Sequence, residues 1–533
     1  MFENKAGSYV IDLLKEWGVD HIYGMPGDSI NEFMEELRKE DAIRFIQIRH
    51  EETGALAASA YSKLTGKIGV CMSIAGPGAV HLQNGLYDAQ KDKTPVLAIV
   101  GQVSSTSVGT DTFQELKLES MFEDVAVYNR SVQSAEQLPD MLNQAIRTAY
   151  AEKGPAVLIV SDDLFAEKIK RDLPLTSSAY AIPKIRAAED DLQEGARLIQ
   201  AAKKPVILAG KGARGAEAEL LAFAEKIKAP IIASLPAKGI IPDDHPQNLG
   251  QLGQLGTKPS EEAMKEADLL ILAGTAFPYR DYLPDNAPAI QIDIEPRVIG
   301  KYYPVTVGIV GNLGPAISWF TTQADEKETD FLEKYMQKRK VWRAEMQNDM
   351  DKETPVLQPQ HVLAEVQQIM EKDAVISLDV GSVTIWTARY LQLSGQSLVV
   401  SAWLATMGCS LPGAIAAKLA YPERQVIGLI GDGGFSMGMQ DFVTAVKYNL
   451  PMTLVVFNNQ KIQLIEHEQE QKGNPATNVE IANIDFAALA AACGGIGYTA
   501  KNRVELKEAL AKAKKSNKPV VIDAYVEDIS PLE

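Results

Sequence analysis

The stretch that decides the reading is Gln425-Val426-Ile427-Gly428-Leu429-Ile430-Gly431-Asp432-Gly433-Gly434. An apolar run, Gln425–Leu429, passes directly into three glycines and one acid. The run has the length and composition of a buried strand. The glycines let the backbone approach a ligand closely, and a helix expected to begin near Met437 would aim free N–H groups at an anion. A second apolar strand, Met452–Val456, leads into Asn458-Asn459, with 24 residues between Gly433 and Asn458. An Asp-Gly turn alone is common and means little. Paired in this way, Asp432 and Asn459 present two hard oxygen donors at neighbouring strand ends. Such donors suit Mg²⁺, which keeps phosphate oxygens and water in its remaining positions.

The same texture extends outward through the chain. In the third segment, strands are expected at Ala374–Leu378 and Val520–Ala524 as well. Farther back lie Pro205–Ala209, Pro230–Ala233, Leu269–Ala273 and Ala289–Ile292, with a helix over Glu217–Ile227. The first segment offers His21–Gly24, Phe45–Ile48, Ile68–Ser73, Val96–Val100 and Ala156–Val160, separated by helical patterns such as Glu52–Leu64 and Ala79–Gln90. Apolar strands alternating with helices predict parallel sheets covered on both faces. The fold class expected is therefore α/β, with three consecutive doubly wound parallel-sheet domains over residues 1–185, 186–350 and 351–533. Lys170–Glu189, rich in proline and serine, reads as a linker. Asp325–Asp351 reads as a charged helix.

Composition narrows the function. The 533 residues carry a net charge of −17 and no basic stretch, which argues against a nucleic-acid partner. The three cysteines, Cys71, Cys409 and Cys493, lie far apart without metal-ligand spacing and read as reduced packing residues. The start of the chain shows no signal-peptide pattern, and no apolar run approaches the roughly 18 residues that span a membrane. A cytoplasmic location is expected.

Arg49-His50-Glu51-Glu52 follows the strand Phe45–Ile48 and opens a helix. Two acids there could simply match the helix dipole. The alternative is that Glu51 points inward as an acid–base group and Glu52 faces solvent.

Several motifs carry a resemblance to a known family. The Gly431–Gly434 and Asn458-Asn459 pair resembles the thiamine-diphosphate fingerprint. His50-Glu51-Glu52-Thr53-Gly54-Ala55 resembles that family's catalytic-glutamate helix. Gly24-Met25-Pro26-Gly27-Asp28-Ser29, Ala75-Gly76-Pro77-Gly78 with His81 and Asn84, Asp111-Thr112-Phe113-Gln114-Glu115, and Pro412-Gly413-Ala414-Ile415 are all similar to pyruvate oxidases, most closely the bacterial quinone-linked, acetate-forming kind. The likeness runs from about residue 5 to 530.

What this resemblance implies is specific. Thiamine diphosphate, Mg²⁺ and FAD are the cofactors. Asp432, Asn459 and the Lys461 carbonyl hold the metal. Pro26, His81, Asn84, Gly381, Ser382, Gly431, Gly433 and Gly434 line the thiamine site, with Met407 wedged beneath the cofactor. Glu51 promotes loss of the thiazolium C2 proton. Phe113 and Gln114 lie between thiamine and flavin, and Ile465 and Glu468 lie on the substrate side. In the middle segment, FAD runs past Gly210, Gly212, Ala213, Gly274, Thr275, Asp293 and Asn312. The implied reaction is oxidative decarboxylation of pyruvate through a hydroxyethyl–thiamine intermediate. Electrons pass to FAD and then to quinone or oxygen, giving acetate or acetyl phosphate. Sites shared between subunits imply a homotetramer. A carboligase of the acetolactate synthase kind and a non-catalytic flavin-binding scaffold are the alternatives.

Three departures bear on this. Lys461-Ile462-Gln463-Leu464 replaces the family's more apolar run, which places Gln463 and Leu464 as polar and ring-less residues beside the substrate. Gly311-Asn312 stands where Gly-Asp is usual. The chain stops at Glu533, where pyruvate oxidases usually continue into a tail. The expectation is activity without lipid, with peripheral membrane contact only in a longer form.

Overall fold

The structure is a computed structural model that describes residues 3–170, 181 and 183–531. Most of the linker expected over Lys170–Glu189 lies outside the described residues. Three six-stranded sheets, all parallel, follow one another along the chain.

The first contains β2 (His21–Gly24), β3 (Arg44–Gln47), β4 (Gly69–Ser73), β5 (Val96–Gln102), β6 (Tyr128–Ser131) and β7 (Pro155–Ser161), in the order β3-β2-β4-β5-β7-β6. A short antiparallel ribbon, β1 (Glu3–Lys5) with β8 (Lys168–Lys170), ties its two ends together. The second contains β9 (Pro205–Ala209), β10 (Ile231–Ala233), β11 (Asn248–Gln251), β12 (Leu269–Ala273), β13 (Ala289–Asp293) and β14 (Val307–Val310), ordered β11-β10-β9-β12-β13-β14. The third contains β15 (Val375–Leu378), β16 (Ser397–Val399), β17 (Val426–Gly431), β18 (Thr453–Asn458), β19 (Ile496–Ala500) and β20 (Val520–Tyr525), ordered β16-β15-β17-β18-β20-β19.

The strands absent from the sequence reading are β6, β11, β14, β16 and β19 in the sheets, together with the β1–β8 ribbon. Each of those five stands at a sheet edge. An edge strand is paired and covered on fewer sides, so its sequence need not be a continuous apolar run. In β19, four of the five residues are only half-buried or exposed.

In each sheet, strands are added first to one side of the starting strand and then to the other, and ligands in such folds bind outside the strand carboxyl ends at that point. The reversals fall between β2 and β4, between β9 and β12, and between β15 and β17.

The first and third domains share one core. The helix Glu51–Thr65 is buried nearly all round and contacts the helix Ser410–Ala420; both give alanines to one hydrophobic cluster, Ala55, Ala57 and Ala58 from the first and Ala414, Ala416 and Ala417 from the second. Small side chains on both helices permit this close approach. Lys63 fastens the junction: its Nζ lies 2.7 Å from Asp88, 2.6 Å from Asp92 and 3.1 Å from the Val400 carbonyl. A buried Lys238–Asp243 pair at 2.6 Å joins the middle domain to the third, since Asp243 also accepts from Leu393 N at 2.9 Å. Among the described residues, no helix is long and apolar enough to cross a membrane.

Candidate active site

At the reversal of the third sheet, parallel registry aligns Leu378 with Leu429 and Gly431 with Phe457. The ends of β15, β17 and β18 therefore deliver Asp379–Ser382, Asp432–Gly434 and Asn458-Asn459 to one edge. The helix after β17 begins at Asp432, not near Met437, and spans Asp432–Gly438. The glycines at 433 and 434 continue the helix.

Asp432 is buried. Its Oδ1 accepts from Gly433 N at 2.8 Å and its Oδ2 from Gln460 N at 2.6 Å. Burial pushes its carboxyl up to about 6, against the pull of these N–H groups. Asn459 Oδ1 accepts from Lys461 N at 3.3 Å, and Asn459 Nδ2 lies 3.4 Å from Asp528. Asn458 turns the other way, into the core, where it donates to Asp523 at 2.9 Å. Gly381 holds φ +124° just before the helix Ser382–Tyr390, and a Cβ on Gly381 or Gly431 would meet no atom within 4 Å. The strand ends thus form an open glycine-walled cradle. Met407 closes one side, with its Cε 3.3 Å from where a Cβ on Gly433 would stand. The donor set and the cradle fit a metal-bound diphosphate.

Asp379 was not singled out in the sequence, although an acid ending an apolar strand two residues before Gly381 is a usable signal. It is fully buried and accepts from Val380 N at 2.7 Å and Gly408 N at 2.9 Å. A Cβ on Gly434 would lie 3.0 Å from its Oδ2, which explains glycine at that position. Burial pushes the Asp379 carboxyl up to about 7, only partly offset by these N–H groups. The folded state therefore holds a proton that the unfolded chain releases above about pH 4. The stability this contributes is complete below that pH and is lost as pH rises through about 7. The thermal midpoint of the cofactor-free protein, relative to Asp379→Asn, should fall between pH 5 and 8. The full shift is worth about 4 kcal/mol at most. A difference between the two proteins that stays flat across that range would contradict the assignment.

The first domain supplies the second half. The helix starts at Glu51 itself, one residue earlier than expected. Glu51 is 8% exposed, and its Oε2 lies 2.9 Å from His81 Nδ1. The His81 ring stacks on His50 at 4.3 Å. Glu52 is not a free surface acid. Asn84 Nδ2 donates to its Oε1 at 2.6 Å and to Thr406 Oγ1 at 2.9 Å, so this pair reaches the third domain beside Met407. Pro26 lies exposed in the loop after β2. Phe113 is 83% exposed on the loop after β5, and Gln114, at φ +67°, packs against Gly76.

The helix Gln463–Gln471 carries Ile465, 43% exposed, and Glu468, half-buried. Gln463 departs from its expected place: it is buried and donates to Asp528 at 2.7 Å and to the Ile529 carbonyl at 2.8 Å. Its amide group ties down the segment after β20. Lys461 Nζ pairs with Glu466 at 2.8 Å and Asp528 at 2.7 Å, which leaves its carbonyl as the group expected at the metal.

In the middle domain, Gly210 and Gly274 end β9 and β12 at the reversal. The strand order there, with β9 central and successive strands added to either side, is that of dinucleotide-binding sheets. The glycines also have a packing reason. Gly210 N donates to Ala273 O at 2.9 Å, Gly212 N to Gly274 O at 3.0 Å and Ala213 N to Gly210 O at 3.0 Å. Gly210, Gly212 and Ala213 therefore shape the turn but offer no free N–H, and the Ala213 side chain lies in the core. Thr275 is buried, and Asp293 at the end of β13 accepts from Glu295 N at 2.9 Å. Asn312 clamps Ile185, accepting from its N at 2.6 Å and donating to its carbonyl at 2.9 Å. Gln251 Nε2, at the end of β11, is a buried donor without a partner. The strand order and this orphaned donor fit a dinucleotide along the strand ends.

The fold and the two half-sites define a class. The N-terminal, central and C-terminal domain models of thiamine pyrophosphate enzymes match residues 4–121, 192–319 and 379–524, and the chain belongs to this family. It is similar to YdaP of Bacillus subtilis (strain 168), 56% identical over all of this chain and 93% of that one, a protein named only for containing thiamine pyrophosphate. It is 41% identical to the pyruvate oxidase of Lactiplantibacillus plantarum, over 99% of this chain and 89% of that one. The acetolactate synthase large subunit of Haemophilus influenzae is 30% identical over 97% of this chain and 94% of its own.

Proposed function

We propose that the protein is a pyruvate oxidase: it decarboxylates pyruvate and passes the electrons to a bound FAD, and then to quinone or oxygen. The observation that carries this reading is the whole-length likeness to a pyruvate oxidase at 41%, against 30% for the acetolactate synthase. Thiamine diphosphate, when bound, supplies the carbon that attacks the 2-oxo group and the electron sink for departing CO₂. FAD, when bound, supplies the acceptor for the electrons left behind.

The chain's own residues do the rest. Asp432, Asn459 and the Lys461 carbonyl would hold Mg²⁺, and Gly381, Ser382, Gly431, Gly433 and Gly434 would line the diphosphate. Met407 would pack against the bound cofactor, and Pro26 and Asn84 would border it. Glu51 exchanges a proton with the pyrimidine ring, and burial beside His81 keeps water from competing for that carboxyl. Ile465 and Glu468 flank the substrate, and Phe113 and Gln114 stand between the two cofactors. Gly274, Thr275, Asp293 and Gln251 border the flavin nucleotide. Exposed Phe113 and Ile465 suit a site completed by another subunit, in a homotetramer.

The test is anaerobic addition of pyruvate to protein loaded with thiamine diphosphate, Mg²⁺ and FAD, followed by flavin absorbance. Bleaching with CO₂ release is expected. Pyruvate consumption with the flavin left oxidised would instead favour the carboligase reading.

A further inference from the structure

The helix that begins at Glu51 has no cap of its own. His50, at the capping position, makes no side-chain bond to the helix, and a helix start leaves several N–H groups without partners. The groups entering this helix are satisfied from another domain. Asp441 Oδ1 accepts from Arg49 N at 2.7 Å and its Oδ2 from His50 N at 3.2 Å. Thr444 Oγ1 holds the same carboxylate at 2.8 Å, and the Thr53 side chain bonds to it from the first turn of the Glu51 helix. Asp441 is fully buried, so water does not compete for these bonds. Next to it, Tyr448 OH accepts from Gln47 N at 2.7 Å and donates to the Phe45 carbonyl at 2.9 Å, while Thr444 Oγ1 lies 3.2 Å from the Gln47 carbonyl.

Asp441 also sits on a particular segment. The helix Asp432–Gly438 passes without a loop into the turn Met439–Asp441 and then the helix Phe442–Lys447. One short run of chain thus carries the proposed metal carboxylate at one end and the clamp on the Glu51 segment at the other.

We propose that Asp441 is a positioning residue for Glu51, fixing the backbone that enters the acid–base helix. The inference rests on the reading of Glu51 given above. Asparagine at 441 keeps one acceptor oxygen and replaces the other with an NH₂ that cannot accept from a backbone N–H. The expected effect is a displaced Glu51 with cofactor binding intact. A misplacement on the scale of 1 Å costs up to ~100-fold in a proton-transfer geometry.

The experiment uses the full chain with thiamine diphosphate and Mg²⁺ and no substrate. Exchange of the cofactor's C2 proton with solvent deuterium is followed by acid quench and proton NMR, with cofactor affinity from calorimetry and the thermal midpoint as controls. Wild type should accelerate exchange over free cofactor. Asp441→Asn should slow it by roughly 10- to 100-fold with cofactor affinity within about threefold of wild type, and Thr444→Val should slow it less. A purely structural role would instead move the thermal midpoint or the cofactor affinity and leave exchange in the loaded protein unchanged. An Asp441→Asn protein that binds cofactor and exchanges at the wild-type rate overturns the proposal. If that variant does not fold, Thr444→Val decides by the same criterion. Wild-type protein that binds cofactor without accelerating exchange overturns the Glu51 reading, and the positioning role with it.

Discussion

Glu51→Gln should lower pyruvate turnover by roughly 10²- to 10⁴-fold, the range a positioned acid–base group contributes, while thiamine diphosphate still binds. The amide keeps the shape of the side chain and its neighbour His81, 2.9 Å away, but cannot take or give the proton. Glu52→Gln is the control. Its carboxylate accepts from Asn84, and an amide oxygen can still do so. Steady-state kinetics on both variants, with calorimetric cofactor affinities, separates the roles. A larger loss for Glu52→Gln than for Glu51→Gln would reverse the assignment.

Asp432→Ala should remove metal-dependent cofactor retention. Its carboxylate is proposed as a direct ligand, so the loss of affinity should exceed the ~10–100-fold typical of outer-shell partners. The truncation also leaves the N–H groups of Gly433 and Gln460 without their acceptor. Leaving a buried donor unsatisfied costs about 1–3 kcal/mol, so the thermal midpoint should drop modestly. Asp432→Asn, which keeps an acceptor, should lose affinity with less loss of stability. Calorimetric titration of thiamine diphosphate with Mg²⁺ reads the first effect directly. Unchanged affinity in both variants would remove Asp432 from the metal site.

Particular residues show where sequence was enough. The strand at 425–429 was legible because it depends on local composition, while the helix after it starts at Asp432 and takes Gly433 and Gly434 into its first turn. The burial of Glu51 did not follow from its place at a helix start, where both acids could match the dipole; the resemblance of the helix to the family's catalytic-glutamate helix singled it out. Other features were not legible because they depend on partners distant in sequence. Gln463 reads as polarity near a substrate until the chain beyond β20 returns to accept its hydrogen bonds. Gly210 and Gly212 look like a ligand turn, but Gly274, some sixty positions away, approaches them closely enough to require glycine. Asn312, expected beside a ligand, also binds Ile185, 127 positions away.

The sequence by itself determined the three parallel-sheet units and which strand ends carry glycines, acids and amides. Those properties follow from hydrophobic runs and backbone freedom, both local. Only the tertiary structure decided what surrounds them: the buried Asp379 behind Gly434, the link from Glu52 through Asn84 to Thr406, and the Asp441 clamp on Arg49 and His50. The first is a carboxylate held within one domain, and the other two are hydrogen bonds that cross between domains. Their strength comes from exclusion of water, and no stretch of sequence shows which distant groups will be shut in together.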